Sequence, residues 1–305
     1  MSESSLEIER FINERALVSS ISCKSFIVTV FGDIVSPHGG WIWLGSLIDS
    51  LKPLGFSERL IRTSVFRLVK EDWLQAQKNG RKSYYAFTDT ANKHYTKAAR
   101  RIYAGTTQHS DGSWLIVMPV FVEELKLTEL KKQLRWLGFS ALSTGAFAHP
   151  SIDQDSLKET IKELNLSDSV IIFSSRTFDE ASNGVLRKLV DEKWSIQELQ
   201  QSYKKLIESY QSIYKLIESK NECSYQQSYL LRSLLIHEYR RILLKDHELS
   251  ENMLPENWSG LEANKLVKAF YAVLAKSSNH YIVSQLETFE GNLPKAELSY
   301  SQRFK

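Results

Sequence analysis

Asn79-Gly80, set between two short segments that read as strands, constrains this chain more than any other pair of residues. Asn-Gly is the strongest short hairpin signal, because both residues accept the positive φ of a type I′ turn. The strands are expected over Trp73 to Gln77 and Lys82 to Phe87. A helix is expected just before them, from Ser57 to Glu71, with Ser57 as its N-cap. At about 100° per residue, Ile61, Val65, Leu68 and Val69 share one side, and Arg59, Thr63, Arg67 and Lys70 the other, flanked by Arg62 and Phe66. A charged exposed face is ordinary by itself. Here the face is almost purely basic, the hairpin tip carries Arg81 and Lys82, and two further helices precede. Together these patterns describe a winged helix-turn-helix, whose helix enters the major groove of DNA while the wing reaches the backbone. Arg59, Arg62, Thr63 and Arg67 are the expected helix contacts, and Arg81 and Lys82 the expected phosphate contacts.

The charge is distributed accordingly. The 305 residues carry a net +3. Lys24 to Ala104 alone holds 13 Lys and Arg against 6 Asp and Glu, while the segments on either side are each −2. Positive potential is therefore concentrated where it attracts phosphate. The length allows two or three domains. A hydrophobic fraction of 42% and a charged fraction of 25% are those of a soluble globular protein. No apolar run approaches the ~18 residues of a membrane span, and MSESSLEIER has no apolar segment of a secretory signal. Cys23 and Cys223 are far apart, without metal-ligand spacing. A cytoplasmic protein with no membrane partner, metal or cofactor is expected.

In chain order, an acidic lead-in holds a short helix around Leu6 to Leu17. Lys24 to Val35 and Trp41 to Leu51 are the two helices before the basic one, the latter closed by Pro53 and Gly55. Thr88 caps a helix over Ala91 to Tyr103, a connector with a basic side, and Gly105 to Gly112 is the clearest linker. The pattern then changes to strand (Trp114 to Val122), helix (Thr128 to Leu137), strand character over Phe139 to Ala148, helix (Pro150 to Leu164) and strand (Ser169 to Ser174). This is one strand short of a ferredoxin-like α/β unit, unless Ser140 to Ala148 folds into two. From Gly184 to Gly291 the signal is helical, over Val185 to Val190, Ser195 to Lys220, Ser224 to Lys245 and Gly260 to Glu290. The tail after Gly291 is expected to be poorly ordered. The fold class is thus α+β and multidomain: a winged helix-turn-helix at 20–104, a ferredoxin-like domain at 113–178 and a helical domain at 184–291.

His237-Glu238-Tyr239-Arg240-Arg241 resembles half of a zinc-protease helix, but Arg241 holds the place of the second histidine. One reading is a bundle helix with paired charges. The other is an anion-binding face of Arg232, Arg240, Arg241 and Lys245 near His237 and Tyr239, since arginine forks suit phosphates. Helical spacing cannot place all four basic residues on one face, and Arg240 is favoured. No glycine-rich phosphate loop and no nucleophile–base arrangement stands out, so no catalytic residue is expected.

RTSVFRLVKEDWL followed by GRKSYYAFT, WLIVMPVF in the middle, and LLIHEYRRILLKDHELSENMLPENWSG in the last third occur in that order. Over residues 20 to 290 the chain resembles the PaaX family, repressors of phenylacetate degradation. Asp72 and Ala91 stand where that family usually has glycine, and His247 where it has proline. The resemblance implies a homodimeric GntR-like repressor that binds a roughly palindromic operator in double-stranded DNA and is released by phenylacetyl-CoA, an aryl-acyl-CoA effector. Arg240, Arg241, His237 and Tyr239 are the candidate effector contacts. The middle domain is similar to the ferredoxin-like nucleases of CRISPR adaptation, which carry an acidic metal ligand at the end of the first strand. Met118-Pro119-Val120 occupies that stretch here, so the resemblance implies dimerisation rather than cleavage for the domain at 113–178, and effector binding for the helical domain at 184–291. Two alternatives are a metal-dependent nuclease and an acyl-CoA enzyme with a DNA-binding head. DNA hydrolysis with Mg²⁺ and turnover of phenylacetyl-CoA would reveal them.

Overall fold

In a computed structural model the described residues are 2–18, 21–103, 112–150, 154–220, 222–246, 249–298, 300 and 303–304. The expected linker therefore lies almost wholly outside the described residues. Contacts divide the chain into two units, the first comprising Met1–Gly105, Leu206–Arg240 and Ala263–Lys305, the second Thr106–Lys205 and Arg241–Glu262.

In the first unit, α1 (Glu3–Val18) precedes α2 (Cys23–Val30), which is capped by the Ser22 side chain. The apolar run of α2 is buried and continues into a π-helical turn, Phe31–Val35, and a 3-10 turn, Ser36–His38. Gly39 ends it at φ +90°, a conformation that suits glycine. The helix expected over Trp41 to Leu51 begins later. Ile42–Trp43 forms a strand, β1, and only then does α3 (Leu44–Leu51) start. A β-branched and an aromatic residue after two left-handed glycines fit a sheet edge better than a first helical turn. Next, α4 (Glu58–Lys70) is capped by Ser57, whose Oγ accepts the Leu60 N–H at 3.2 Å. The hairpin strands are β2 (Leu74–Asn79) and β3 (Lys82–Phe87), turning through Gly80 at φ +58°. The sheet order is β1-β3-β2, all antiparallel. Asp72, between α4 and the hairpin, has φ +58°, which explains the preference for glycine there; aspartate is among the residues that tolerate it. Thr88 caps α5 (Asp89–Ile102).

The described residues of the tail correct the expectation of poor order. Beyond α11 (Gly260–Gln285), the short strands β8 (Glu287–Thr288) and β9 (Gly291–Asn292) pair. Phe289 stacks on Tyr84 of the hairpin with ring centroids 4.0 Å apart. Leu293 and Phe304 are buried. The Glu297 N–H donates to the Pro37 carbonyl at 2.9 Å, and the Phe304 N–H to that of Tyr103 at 2.8 Å. Apolar anchors spaced along a polar stretch hold the tail down, a pattern without the periodicity of a helix or strand.

In the second unit, β4 (Trp114–Pro119), α6 (Glu124–Trp136), β5 (Ser140–Ser143), β6 (Ala146–His149), α7 (Gln154–Glu163) and β7 (Val170–Ser175) build a four-stranded antiparallel sheet ordered β5-β6-β4-β7. Phe139 to Ala148 does fold into two strands, turning at Thr144-Gly145. Alternation along β4 sorts the cores. Leu115 and Val117 pack with Leu130, Leu134, Leu157 and Ile161 from α6 and α7. Trp114 points the other way, stacked on Trp194 of α8 (Glu180–Trp194) at 5.5 Å. The remaining helices, α9 (Ile196–Lys220) and α10 (Tyr225–Leu243), have residues in both units.

Candidate functional site

The face of α4 sorts as its periodicity requires. Ile61, Val65 and Leu68 are buried, while Arg59, Arg62, Thr63, Phe66 and Arg67 are exposed. Burial of the first three fixes the helix against α2 and turns the basic residues outward. Arg62 is held one turn back by Glu58, with Nη2 to Oε1 at 2.8 Å. The Thr63 hydroxyl donates to the Arg59 carbonyl at 2.8 Å. Arg59 and Arg67 have no carboxylate within ion-pair distance among the described residues. Both therefore offer undirected guanidinium groups to an approaching phosphate or base edge.

The two residues at the hairpin tip differ. Arg81 is exposed. Lys82 pairs with Glu287 at 2.5 Å, and its ammonium lies 4.1 Å from the Trp43 ring centroid. One tip cation is thus available at once, and the other is engaged within the fold.

The residues expected on α10 do not share one surface. His237 is fully buried, its Nδ1 2.9 Å from the Thr29 hydroxyl oxygen and its ring 5.0 Å from that of Phe26. Tyr239 is buried, its hydroxyl accepting from Asn264 at 2.9 Å. Arg240 is half-buried with Nη2 3.5 Å from Ser25 Oγ, and Arg241 is exposed. Glu238 pairs with Arg15 and accepts the Tyr210 hydroxyl at 3.1 Å.

Arg232 is not on a face at all. It is completely buried, donating Nε–H to the Asp33 carboxylate at 2.8 Å. Arg303 from the tail reaches the same carboxylate at 2.7 Å, and the Tyr103 hydroxyl donates to it at 2.6 Å. Burial by itself would raise the Asp33 pKa, but Arg232, then Arg303 and Tyr103, outweigh it and hold the group below its ordinary value. Burial also pushes the phenol of Tyr103 well above its usual range. Sequence reasoning missed this cluster. Its signal was present: Asp33 is the one acid in the apolar run KSFIVTVFGDIV, and Arg232 the one cation in LLRSLLI.

A family model described as PaaX-like protein matches residues 22–91. One described as PaaX protein central Cas2-like domain matches 107–186, and one described as PaaX-like protein C-terminal domain matches 194–284. The transcriptional repressor PaaX of Escherichia coli (strain K12) is 34% identical over 299 residues, which are 98% of this chain and 95% of that protein. Among solved structures, the uncharacterized protein Rv0674 from Mycobacterium tuberculosis aligns with a TM-score of 0.45 and 16% identity, covering 81% of this chain and 94% of that one.

Proposed function

Because this chain belongs to the PaaX family, we propose that it is a transcriptional repressor of phenylacetate degradation, binding operator DNA as a homodimer and released by phenylacetyl-CoA. The observation that carries the reading is the end-to-end likeness to a curated transcriptional repressor. Its role is regulatory, not enzymatic, and it acts in the cytoplasm. No helix among the described residues is long and apolar enough to cross a membrane.

The head at 20–104 is a winged helix-turn-helix in this reading. Three helices, then a hairpin joined by a third strand, are the parts that motif uses, with α4 as the recognition helix and β2-β3 as the wing. Arg59, Arg62, Thr63 and Arg67 meet the groove, and Arg81 and Lys82 the backbone. The central domain at 113–178 is ferredoxin-like: its strand order and the two helices between its strands support this. It serves dimerisation. Met118, Ile171 and Phe173 share one sheet face by register and are all exposed, and an exposed apolar patch marks an interaction surface. Of the four candidate effector residues in the helical segment at 184–291, Arg240 and Arg241 are the ones with exposed surface.

Footprinting over the region upstream of the chain's own operon tests the proposal. The expected result is one protected patch with approximate two-fold symmetry, lost on adding phenylacetyl-CoA. Absence of any protected patch at micromolar protein would contradict it.

A further inference from the structure

A cavity of about 520 Å³ lies between α5, the turn that follows α2, and the C-terminal tail. Its walls include Tyr95, Tyr103 and Tyr300, with Arg100 and Glu297 exposed beside them. Arg303 also lines it, with 12% of its side chain exposed. We propose that this cavity binds an organic anion with an aromatic end and is the site through which such a ligand acts on the DNA-binding head.

Three observations carry this. The volume is that of a small-molecule site, commonly about 300–1,000 Å³. The charge behind the wall is unbalanced. Among the described residues, two buried guanidiniums, Arg232 and Arg303, share the one carboxylate of Asp33, and the tyrosine hydroxyls around them are neutral, burial having raised Tyr95, Tyr103 and Tyr271. The cluster therefore holds one surplus positive charge out of water, which an anion against Arg303 offsets. The walls are also aromatic. Arg303 lies 3.9 Å from the Tyr103 ring centroid and 4.9 Å from that of Tyr300, so a flat apolar group enters an environment already built from ring faces. Among the described lining residues Glu297 is the one acid, and it stands at the exposed rim rather than at the floor.

The site bears on the head because its walls do. Asn92, Thr96 and Arg100 come from α5, which follows the wing directly, and Gly32 and Pro37 from the turn after α2. The opposite wall is the tail, fastened to the head by the Glu297–Pro37 and Phe304–Tyr103 hydrogen bonds. A ligand between them shifts the position of the tail against α5, and a ligand that weakens DNA binding is itself bound more weakly by the DNA complex, by the same factor.

The choice of an aryl-acyl ester as probe rests on the repressor reading above. Calorimetry on the full chain would use phenylacetyl-CoA, phenylacetate and CoA as separate ligands, with Thr96→Trp and Arg100→Ala as variants. Thr96 is exposed on α5, so tryptophan there fills the cavity without entering the core. The expected result is binding of one or both aromatic ligands to the parent. Affinity falls tenfold or more in Thr96→Trp, with operator affinity unchanged, and severalfold in Arg100→Ala. Parent-like affinity in both variants would overturn the cavity assignment and leave release by the ester standing. CoA binding as tightly as its ester would overturn the aromatic class. No binding of any probe to the parent would overturn this assignment and the proposed release together.

Discussion

Asp33 and Arg232, 199 residues apart in sequence, meet at 2.8 Å with neither side chain exposed to any extent. Asp33 sits in the π-helical turn after α2 and Arg232 in the middle of α10, so the pair fastens the N-terminal helices to a helix from the last third of the chain. Arg303 still faces Asp33 when Arg232 is removed, but truncation empties a fully buried volume and strips Ser278, Asn279 and one Asp33 oxygen of their donor. Arg232→Ala is expected to lower unfolding stability by about 3–5 kcal/mol, and Arg232→Lys also to lose stability, because lysine lacks the fork that reaches Asp33, Ser278 and Asn279. Urea denaturation measures both. A loss below about 1 kcal/mol for the alanine variant would contradict this account.

His38 makes the tail sensitive to pH. Burial lowers its pKa, against the pull of the Pro294 carbonyl, to which Nδ1 donates at 2.7 Å; Arg232 and Arg303 also lower it and Asp33 raises it. The folded state therefore binds this proton less readily than the unfolded chain. The stability it contributes is complete above the ordinary histidine value of 6.5 and is lost as pH falls below it. Hydrogen exchange at the Glu297 amide, corrected for intrinsic rate, is expected to be faster at about pH 5.5 than at 7.5. Equal protection at both would show that His38 does not govern the tail.

Arg59 and Arg62, near the start of α4, are the expected base readers. The exposed pair of Arg62 with Glu58 contributes only about 0.3–0.5 kcal/mol, so DNA displaces it at little cost. Each loss of a bidentate guanine contact is expected to reduce discrimination by about 1–3 kcal/mol. Competition between operator and scrambled duplex measures this for Arg59→Ala and Arg62→Ala. Parent-like selectivity in both would place the reading elsewhere.

The wing offers a sharper contrast. Arg81→Ala is expected to weaken binding on all sequences alike and to reduce the salt slope by about 1. Lys82 must first leave Glu287. Glu287→Gln is therefore expected to tighten binding to any duplex at low salt. Unchanged affinity there would mean that Lys82 serves the fold and not the DNA.

Dimerisation is expected to depend on the exposed sheet face. Light scattering should report a dimer for the parent at micromolar concentration and a monomer for Phe173→Asp, whose side chain is 46% exposed and so can change without emptying the core. A dimeric Phe173→Asp would move the interface elsewhere.

The local patterns were legible in the sequence. Ser57, the 3.6-residue spacing of Ile61, Val65 and Leu68, and Gly80 set α4 and the hairpin without help from distant residues, although Asn79 pairs with Lys82 and the turn is Gly80-Arg81 rather than Asn79-Gly80. The strands and helices of the middle unit followed from periodicity and length in the same way. What periodicity could not show was long-range pairing. Ile42 and Trp43 form a strand because β3 supplies its partner. Glu297, Phe304 and Arg303 of the tail are held because Pro37, Tyr103 and Asp33 receive them. His237 looked like a ligand-facing residue because a helix alone does not say which side is core. Arg232 looked available for anions because its acid lies at the other end of the sequence.

The most direct test of the central claim is an anisotropy titration of a labelled duplex from upstream of the chain's own operon, at fixed salt, with and without phenylacetyl-CoA. The account predicts saturable binding at least about a thousandfold tighter than to scrambled duplex, weakened when the ester is present. Equal affinity for both duplexes, unaffected by the ester, would contradict it.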